Sequence, residues 1–473
     1  MRFLSTHISC LCRLLLLLLP ALVVVSACDK DSAAGAEGEP EYNTYLQITL
    51  HTGSMVPATR GPQGGENGDG NLTAIERECA VYNATILLYK DANGINGNDG
   101  TPISYSFYAP TLTKVGTGSS AYYQTDVLHS FVPIAPATYH VLVIVNAGDL
   151  SDVLTGKTLG EVRDYTALAP YQQTDADDPT TAGRFVMTSA NDATLAVTGA
   201  GGMDNIKQVD VRVERMAARI DFSPGVSYKT SGYYGGEYLD KDHTPIQVGG
   251  NPVPCYDYAV VSEATGVVNG DHFYLTHVQP LNLWQGGTYL TKRVCDINWI
   301  SAENILKAHL NYLGDEGKNS LNEATDYVIS PDFLTRTTTH YTAGTKQAVK
   351  PSSELGTETG LIDGTDTNLK YYILTYAREN TFPALSNPAS FATGLQIDGY
   401  YKKDETDVYS KKSYVYYIRH ADPNNSNSNS LAMKYGIVRN NVYRVSIERV
   451  TSLGVIMIEA QDWITVELPD IQM

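Results

Sequence analysis

Short segments in which apolar and polar residues alternate recur along the chain. In the segment 44–51, alternate residues fall on opposite sides of an extended backbone, which is the period of two expected of a half-buried strand. Its apolar residues are Leu46, Ile48 and Leu50. The segment 463–468 alternates in the same way, and its apolar residues are Ile464, Val466 and Leu468. This alternation predicts an all-β protein.

The composition agrees with this fold class. The chain has 33 tyrosines against 9 phenylalanines, together with 40 glycines. Such a mixture suits sandwiches with half-exposed sheets and many turns. The formal net charge is −18, and no basic stripe appears in the sequence. We therefore do not expect the protein to bind nucleic acid.

The first 27 residues have the features of a secretory signal peptide. Arg2 and Arg13 precede the apolar run 14–25, which is too short to span a bilayer as a permanent helix. The run leads into Val-Ser-Ala-Cys at 25–28, the pattern of a lipobox, which predicts cleavage before Cys28 and acylation of its thiol. Several acyl chains hold a protein on a membrane without a transmembrane segment. The alternative is an ordinary signal peptide followed by a chance cysteine.

More than four hundred residues remain after this leader, which is too many for one ordinary core. We place a signal peptide at 1–27 and a leader that contains the first strand at 28–60. An N-terminal domain is predicted at 61–213 and a C-terminal domain at 214–473.

Two short helices are predicted among the strands. Thr158 and Glu161 have the spacing of a capping box. A second helix is expected at 301–313, with Ser301 as its N-cap and Gly314 ending it. The strand 139–146 is apolar almost throughout and is expected to be buried on both faces.

Motifs of catalysis and metal binding are incomplete in this sequence. The segment 91–97 is similar to a calcium loop, but Ile95 stands where an oxygen ligand is needed, so a surface turn is the better interpretation and weak cation binding stays open. The sequence contains no His-Glu-x-x-His, Cys-x-x-Cys or Gly-x-Ser-x-Gly run. We predict no catalytic residue, metal or cofactor, and no enzymatic activity. Trp284 and Trp299 are either a sugar-stacking platform or part of a sheet core.

Three cysteines remain if Cys28 is acylated and the signal peptide is removed. They are Cys79, Cys255 and Cys295. A bridge between Cys255 and Cys295 and a pair of buried free thiols are both open.

Several local patterns, in their order along nearly the whole chain, resemble the FimA/Mfa-like fimbrillins, the major fimbrial subunits of Bacteroidales. They are the lipobox, the first strand followed by Arg60, the strand 139–146, and the segments 211–220, 376–381 and 438–447 before a terminal tryptophan strand. The resemblance implies two transthyretin-like β-sandwich domains in tandem. It also implies an outer membrane lipoprotein precursor that becomes part of a cell-surface fimbrium used in adhesion.

The resemblance further implies cleavage by an arginine-specific protease and polymerisation by strand exchange. The expected cut lies between Arg60 and Gly61, with Arg77 as the competing site. The first strand would then be removable, and the segment with Ile464, Val466 and Leu468 would be the donor strand that replaces it in a neighbour. Alternatively, both are ordinary strands within one sandwich.

The implied partners are other copies of the chain, accessory fimbrial subunits, the protease, the outer membrane through the lipid, and a host protein or glycan receptor. Two further functions stay open. The chain is alternatively an anchor or tip subunit, or a surface lipoprotein that binds glycan without polymerising.

Overall fold

The structure is a computed structural model of the chain. It describes residues 44–52, 75–90, 100–117, 121–130, 134–175, 177–190, 193–198, 203–225, 235–262, 264–296, 310–311, 326–333, 335–356, 370–382, 388–419, 435–451 and 456–461. Contacts divide the chain into two units, Met1–Glu41 and Tyr42–Met473, and every described residue lies in the second.

The described residues form mainly strands, and the prediction of an all-β fold is confirmed. The strands of the first half are β1 (Tyr45–His51), β2 (Ala84–Tyr89), β3 (Ile103–Ala109), β4 (Leu112–Val115), β5 (Tyr122–Thr125), β6 (Leu128–His129), β7 (Ala137–Val145), β8 (Gln172–Gln173), β9 (Ala182–Gly183), β10 (Met187–Ser189), β11 (Ala193–Val197) and β12 (Lys207–Arg215).

The strands of the second half begin directly after Met216. They are β13 (Ala217–Ser223), β14 (Glu237–Leu239), β15 (Gln247–Val248), β16 (Asn251–Pro252), β17 (Cys255–Val261), β18 (Val268–Leu281), β19 (Leu283–Trp284), β20 (Arg293–Asp296), β21 (Leu310–Asn311), β22 (Asp326–Val328), β23 (Tyr341–Thr342), β24 (Gln347–Ala348), β25 (Tyr372–Arg378), β26 (Gly394–Lys402), β27 (Tyr409–Tyr417), β28 (Val442–Thr451) and β29 (Ile456–Gln461).

The described helices are short. They are α1 (Glu76–Cys79), α2 (Ser151–Leu154), α3 (Leu159–Arg163) and α4 (Pro388–Phe391). The capping box predicted before α3 is confirmed, because Thr158 Oγ1 accepts from Glu161 N at 3.3 Å and Glu161 Oε2 accepts from Thr158 N at 2.8 Å. None of the helices in the described part of the chain is long and apolar enough to cross a membrane.

The predicted helix 301–313 is wrong where the structure describes it. Leu310 and Asn311 form β21, which pairs antiparallel with β20. Pairing with a strand distant in sequence overrides the weak local preference for a helix at these two residues. The rest of that predicted helix lies outside the described residues.

The first large sheet has the strand order β3-β2-β7-β10-β12-β1-β5-β4, with β11 beside β7 and β6 beside β1. One cluster of buried side chains joins β1, β2, β7, β11 and β12, and a second covers the opposite side of β2 and β7. The prediction that 139–146 is buried on both faces is therefore confirmed.

The second large sheet has the order β25-β13-β28-β17-β18-β26-β27, with β29 beside β28. Only Met216 separates β12 in the first sheet from β13 in the second. In each half the first strand lies parallel to the last long strand, β1 along β12 and β13 along β28. The assignment of two transthyretin-like domains that meet at 213/214 stays a prediction.

Candidate functional site

The first strand is an integral part of the first sheet. β1 pairs parallel with β12 from Leu46↔Lys207 to His51↔Arg212. On its other edge it pairs antiparallel with β5 and β6. Because both edges of β1 are paired, its removal would leave unpaired backbone groups on both neighbours.

The side chains of β1 alternate as the sequence predicts. Leu46, Ile48 and Leu50 have no exposed surface, whereas Gln47 and Thr49 are half-buried. The three apolar side chains belong to the core cluster that joins β1, β2, β7, β11 and β12. Their neighbours in this cluster include Ile86, Leu88, Val143, Val145, Val209 and Val211. Without β1, these side chains would line an apolar groove.

Thr125, the last residue of β5, fixes the position of β1 along this groove. Its hydroxyl accepts from Ile48 N at 3.0 Å, and its carbonyl accepts from Gln47 Nε2 at 3.1 Å. Thr125 is itself buried. A slip by one residue would exchange the buried and half-buried faces of β1, so these bonds and the apolar alternation specify the same register.

The chain leaves β1 at Thr52 and is described again from Ile75. Thr52 lies close to the end of α1, because Cys79 Sγ is 4.0 Å from Thr52 O, and Arg215 Nη2 donates to the same carbonyl at 3.2 Å. The predicted cut between Arg60 and Gly61 falls in this interval and lies outside the described residues. A single cut within 53–74 would separate β1 from the remainder of the sheet.

The competing site, Arg77, lies within α1 and is half-buried. The next residue, Glu78, is 3% exposed and accepts from Ile75 N at 3.2 Å. Proteases cut preferentially at exposed loop tips, where the chain can become extended. This setting disfavours Arg77 as the site of cleavage.

Glu78 anchors α1 to the second half of the chain. It accepts from Arg219 Nη1 at 2.9 and 3.1 Å and from the Tyr376 hydroxyl at 2.6 Å. Burial alone would raise the pKa of Glu78, but the guanidinium groups of Arg219 and Arg215 outweigh it and lower the pKa below its usual value. The carboxylate is therefore charged in the folded protein at neutral pH.

The segments singled out in the sequence meet at this junction. Arg215 and Arg219 come from 211–220, Tyr376 and Glu379 from 376–381, and Arg439 and Asn440 from 438–447. Arg439 and Glu379 form an ion pair with no exposed surface, at 3.1 Å between Nη2 and Oε2. Arg215 Nη1 donates to Asn440 Oδ1 at 2.9 Å. These patterns are present in the sequence, but nothing in the sequence indicates that the three segments lie side by side in the fold.

Comparison with known proteins finds a family model that matches part of this chain. Residues 408–470 match the family described as major fimbrial subunit protein type IV, fimbrillin, C-terminal. This C-terminal part of the chain is fimbrillin-like. The match begins next to β27 and extends through β28 and β29, so it includes the strand that lies along β13.

Solved structures are also similar to this chain. A candidate cell adhesion protein from Parabacteroides distasonis is 13% identical, with a TM-score of 0.43, over 90% of this chain and 98% of that one. A fimbrial assembly protein from the same species is 13% identical, with a TM-score of 0.33, over 86% and 91%. A candidate cell adhesion protein from Bacteroides eggerthii is 12% identical, with a TM-score of 0.36, over 92% and 94%. Among curated proteins none matches the sequence.

The proposed sugar platform is wrong for Trp284. This side chain is 1% exposed, its ring is covered by the Arg336 guanidinium at 3.9 Å, and its Nε1 donates to Gly287 O at 2.9 Å. A ring enclosed in this way has no free face on which a sugar could stack, so the alternative that it is a core residue is confirmed. Trp299 lies outside the described residues.

Cys255 is a free thiol with no exposed surface. Burial raises its pKa to about 11 although the Thr244 hydroxyl lies 3.3 Å away. This finding favours the buried-thiol alternative over a bridge to Cys295, whose side chain lies outside the described residues.

The remaining site residues also fall outside the described part of the chain. They are Cys28, Ile464, Val466 and Leu468. The segment 91–97 lies there too. Within the described residues, no group of three or more His, Cys, Asp or Glu side chains is placed to hold a metal ion.

Proposed function

We propose that this fimbrillin-like chain is a structural subunit of a fimbrial shaft that assembles by exchange of its first strand and serves adhesion. The main supporting observation is the position of β1, whose apolar face is fully buried and whose two edges are both paired. The interval that contains Arg60 separates β1 from α1. An arginine-specific protease would cut between Arg60 and Gly61. β1 would then no longer be covalently joined to the sheet that it completes.

The groove left by β1 sets the requirements for its replacement. It needs a strand that offers backbone groups to β12 and β5 and three apolar side chains at alternate positions. Ile464, Val466 and Leu468 have the same period and the same aliphatic chemistry as the side chains they would replace. We propose that a C-terminal segment of an adjacent subunit is this donor strand.

The start of the chain supports a route to the cell surface. The lipobox at 25–28 would direct export and acylation at Cys28, giving an outer membrane lipoprotein precursor. Cleavage after Arg60 would separate the subunit from its lipid and allow it to enter the fimbrium. Its partners would be other copies of itself, accessory fimbrial subunits and the protease, with a host protein or glycan as receptor.

A role as anchor or tip subunit is the second candidate. Such a subunit needs either an acceptor groove or a donor strand, but not both. The combination of a buried, separable β1 with a matching C-terminal alternation favours the shaft.

The proposal is tested by cleaving lipid-free precursor with an arginine-specific protease. We expect a new N-terminus at Gly61 and a ladder of stable oligomers on a gel run without boiling. Arg60→Ala should abolish both, and deletion of 463–473 should abolish the ladder while leaving the cut. Arg77→Ala is the matched control and should behave as the unchanged protein. Cleaved chains that stay monomeric would refute the shaft role.

A further inference from the structure

Arg215, the last residue of β12, contacts three separate parts of the chain with one guanidinium group. Nε donates to Glu78 O in α1 at 2.8 Å. Nη1 donates to Asn440 Oδ1 at 2.9 Å, in the turn before β28. Nη2 donates to Thr52 O, directly after β1, at 3.2 Å and lies 3.2 Å from Cys79 Sγ.

The geometry of this group makes the three contacts dependent on one another. A guanidinium is planar and rigid, and its donors point in fixed directions. Loss of the hydrogen bond at one nitrogen therefore allows the whole guanidinium plane to turn. This turn alters the distances from the other two nitrogens to their acceptors. Arg215 is half-buried, so its bonds compete only partly with water.

Asn440 links the guanidinium to the beginning of β28. Its Oδ1 also accepts from Arg215 N at 3.2 Å, and its own N donates to Ala217 O at 2.8 Å. Its φ is 57°, a left-handed conformation that asparagine adopts more readily than most residues. The next residue, Asn441, accepts from Arg219 N at 2.8 Å before β28 begins at Val442.

We infer that Arg215 is a positioning residue. It couples the presence of β1 in its groove to the hydrogen bond that restrains Asn440 in the turn before β28. This inference rests on the proposed function, since it assigns to strand release a second effect. While β1 is in place, Thr52 O holds Nη2 and thereby keeps Nη1 on Asn440. When β1 leaves, Thr52 leaves with it and the guanidinium loses one of its restraints.

For assembly, this coupling means that departure of β1 comes before loosening of the turn that precedes β28. β28 carries β29 along its edge, and β29 leads towards the proposed donor segment. The turn before β28 is therefore held more firmly in a precursor that still contains β1. Coupling of this kind is reciprocal, so loosening the turn must also loosen the end of β1 by the same factor.

The chain carries a reporter of the β1 end. The Cys79 thiol is half-buried against Thr52 O, and separation of Thr52 from α1 would expose it. Cys255 is fully buried in the second sheet and serves as an internal control. A lipid-free chain that begins at Asp29 and carries Cys295→Ser contains only these two thiols.

The test compares variants of the uncut, lipid-free chain in that background. Asn440→Gly keeps the left-handed backbone conformation but removes the side-chain acceptor. Asn440→Asp keeps the acceptor and should restore the behaviour of the unchanged protein. Asn282→Gly is the matched control, because Asn282 also has a positive φ of 51° but bonds to Ala389 O and Ala392 O in another part of the second half.

Two readouts are followed, the labelling rate of Cys79 and the amide hydrogen exchange of β1 and β28. Asn440→Gly removes the acceptor of two bonds, and the one from Arg215 Nη1 is the bond that carries the coupling. Its loss should raise both the Cys79 labelling rate and the exchange of β1 by about fivefold, the factor expected for one hydrogen bond. Conversely, Ile48→Ala, which acts within β1, should raise the exchange at the beginning of β28. Asn282→Gly should leave β1 and Cys79 unchanged.

The result that overturns the inference is an Asn440→Gly chain in which β28 exchanges faster while β1 and Cys79 are unaffected. Asn440 would then have a local structural role only. This outcome is separate from a failure of the proposed function. Cleaved protein that never forms a ladder would refute strand exchange, whereas the coupling is measured in the uncut chain.

Discussion

Cutting the interval after β1 should not by itself release the first strand. Burying one aliphatic side chain completely contributes about 1.5–3 kcal/mol, so Leu46, Ile48 and Leu50 together contribute about 5–9 kcal/mol. The hydrogen bonds on both edges add about 0.5–1.5 kcal/mol each. The total is comparable with the whole stability of a typical domain, about 5–15 kcal/mol.

The assay uses lipid-free precursor without 463–473, so that no donor strand competes for the groove. After cleavage at Arg60, the fragment that ends at this residue should co-elute with the remainder in size-exclusion chromatography and separate from it only in urea. Mass spectrometry identifies the fragment in each fraction. A synthetic peptide with the sequence 462–473 should then displace it at neutral pH, and a peptide in which Val466 is replaced by aspartate should not.

One result would refute this reasoning. If the fragment separates in native buffer while the remainder stays folded and monomeric, β1 contributes far less than its burial indicates. The groove that β1 leaves would then close on itself. Burial of apolar side chains in that groove could no longer drive strand exchange.

Three further predictions follow from buried groups of the two halves. Ile48→Ala should lower the free energy of unfolding by about 2–5 kcal/mol in urea titration, and Thr49→Ala on the half-buried face by far less. The folded pKa of Glu78 lies below the unfolded value of about 4.3, so its ion pairs stabilise the protein fully above that pH and are lost as the pH falls through the folded pKa. Urea midpoints measured against pH should show this loss of stability. Glu78→Gln should remove this part of the pH dependence. Arg439→Met leaves the Glu379 carboxylate buried without its cation and should lower the free energy of unfolding by about 3–5 kcal/mol in chemical denaturation. Adding Glu379→Leu should restore part of this free energy.

The local features of the fold could be predicted from the sequence because they depend on neighbouring residues. The side-chain period of two decides which face of β1 is buried, and the structure places Leu46, Ile48 and Leu50 on that face. The capping box of α3 depends on two residues three positions apart. Both signals are complete within a few residues of sequence.

The pairing of distant strands could not be predicted in this way. β1 lies beside β12, so that Leu46 pairs with Lys207, and neither sequence specifies the other as its partner. The burial of Trp284 likewise depends on Arg336, which comes from a separate segment. The junction around Arg215 is the same kind of feature, since its partners at Thr52, Glu78 and Asn440 come from both ends of the chain.

The parallel pairing of first and last strands explains why β1 is suited to exchange and β13 is not. Both strands lie along the last long strand of their half. β13 continues from β12 through Met216 alone, and Met216 has no exposed surface, so a cut after β13 would leave it attached to the first sheet. β1 has no such connection to the strand that follows it, because the chain after Thr52 runs through 53–74 before it returns at α1. Covalent continuity, rather than the strength of burial, therefore selects β1 as the strand that one cut can disconnect from the rest of its sheet, so that a donor strand can displace it.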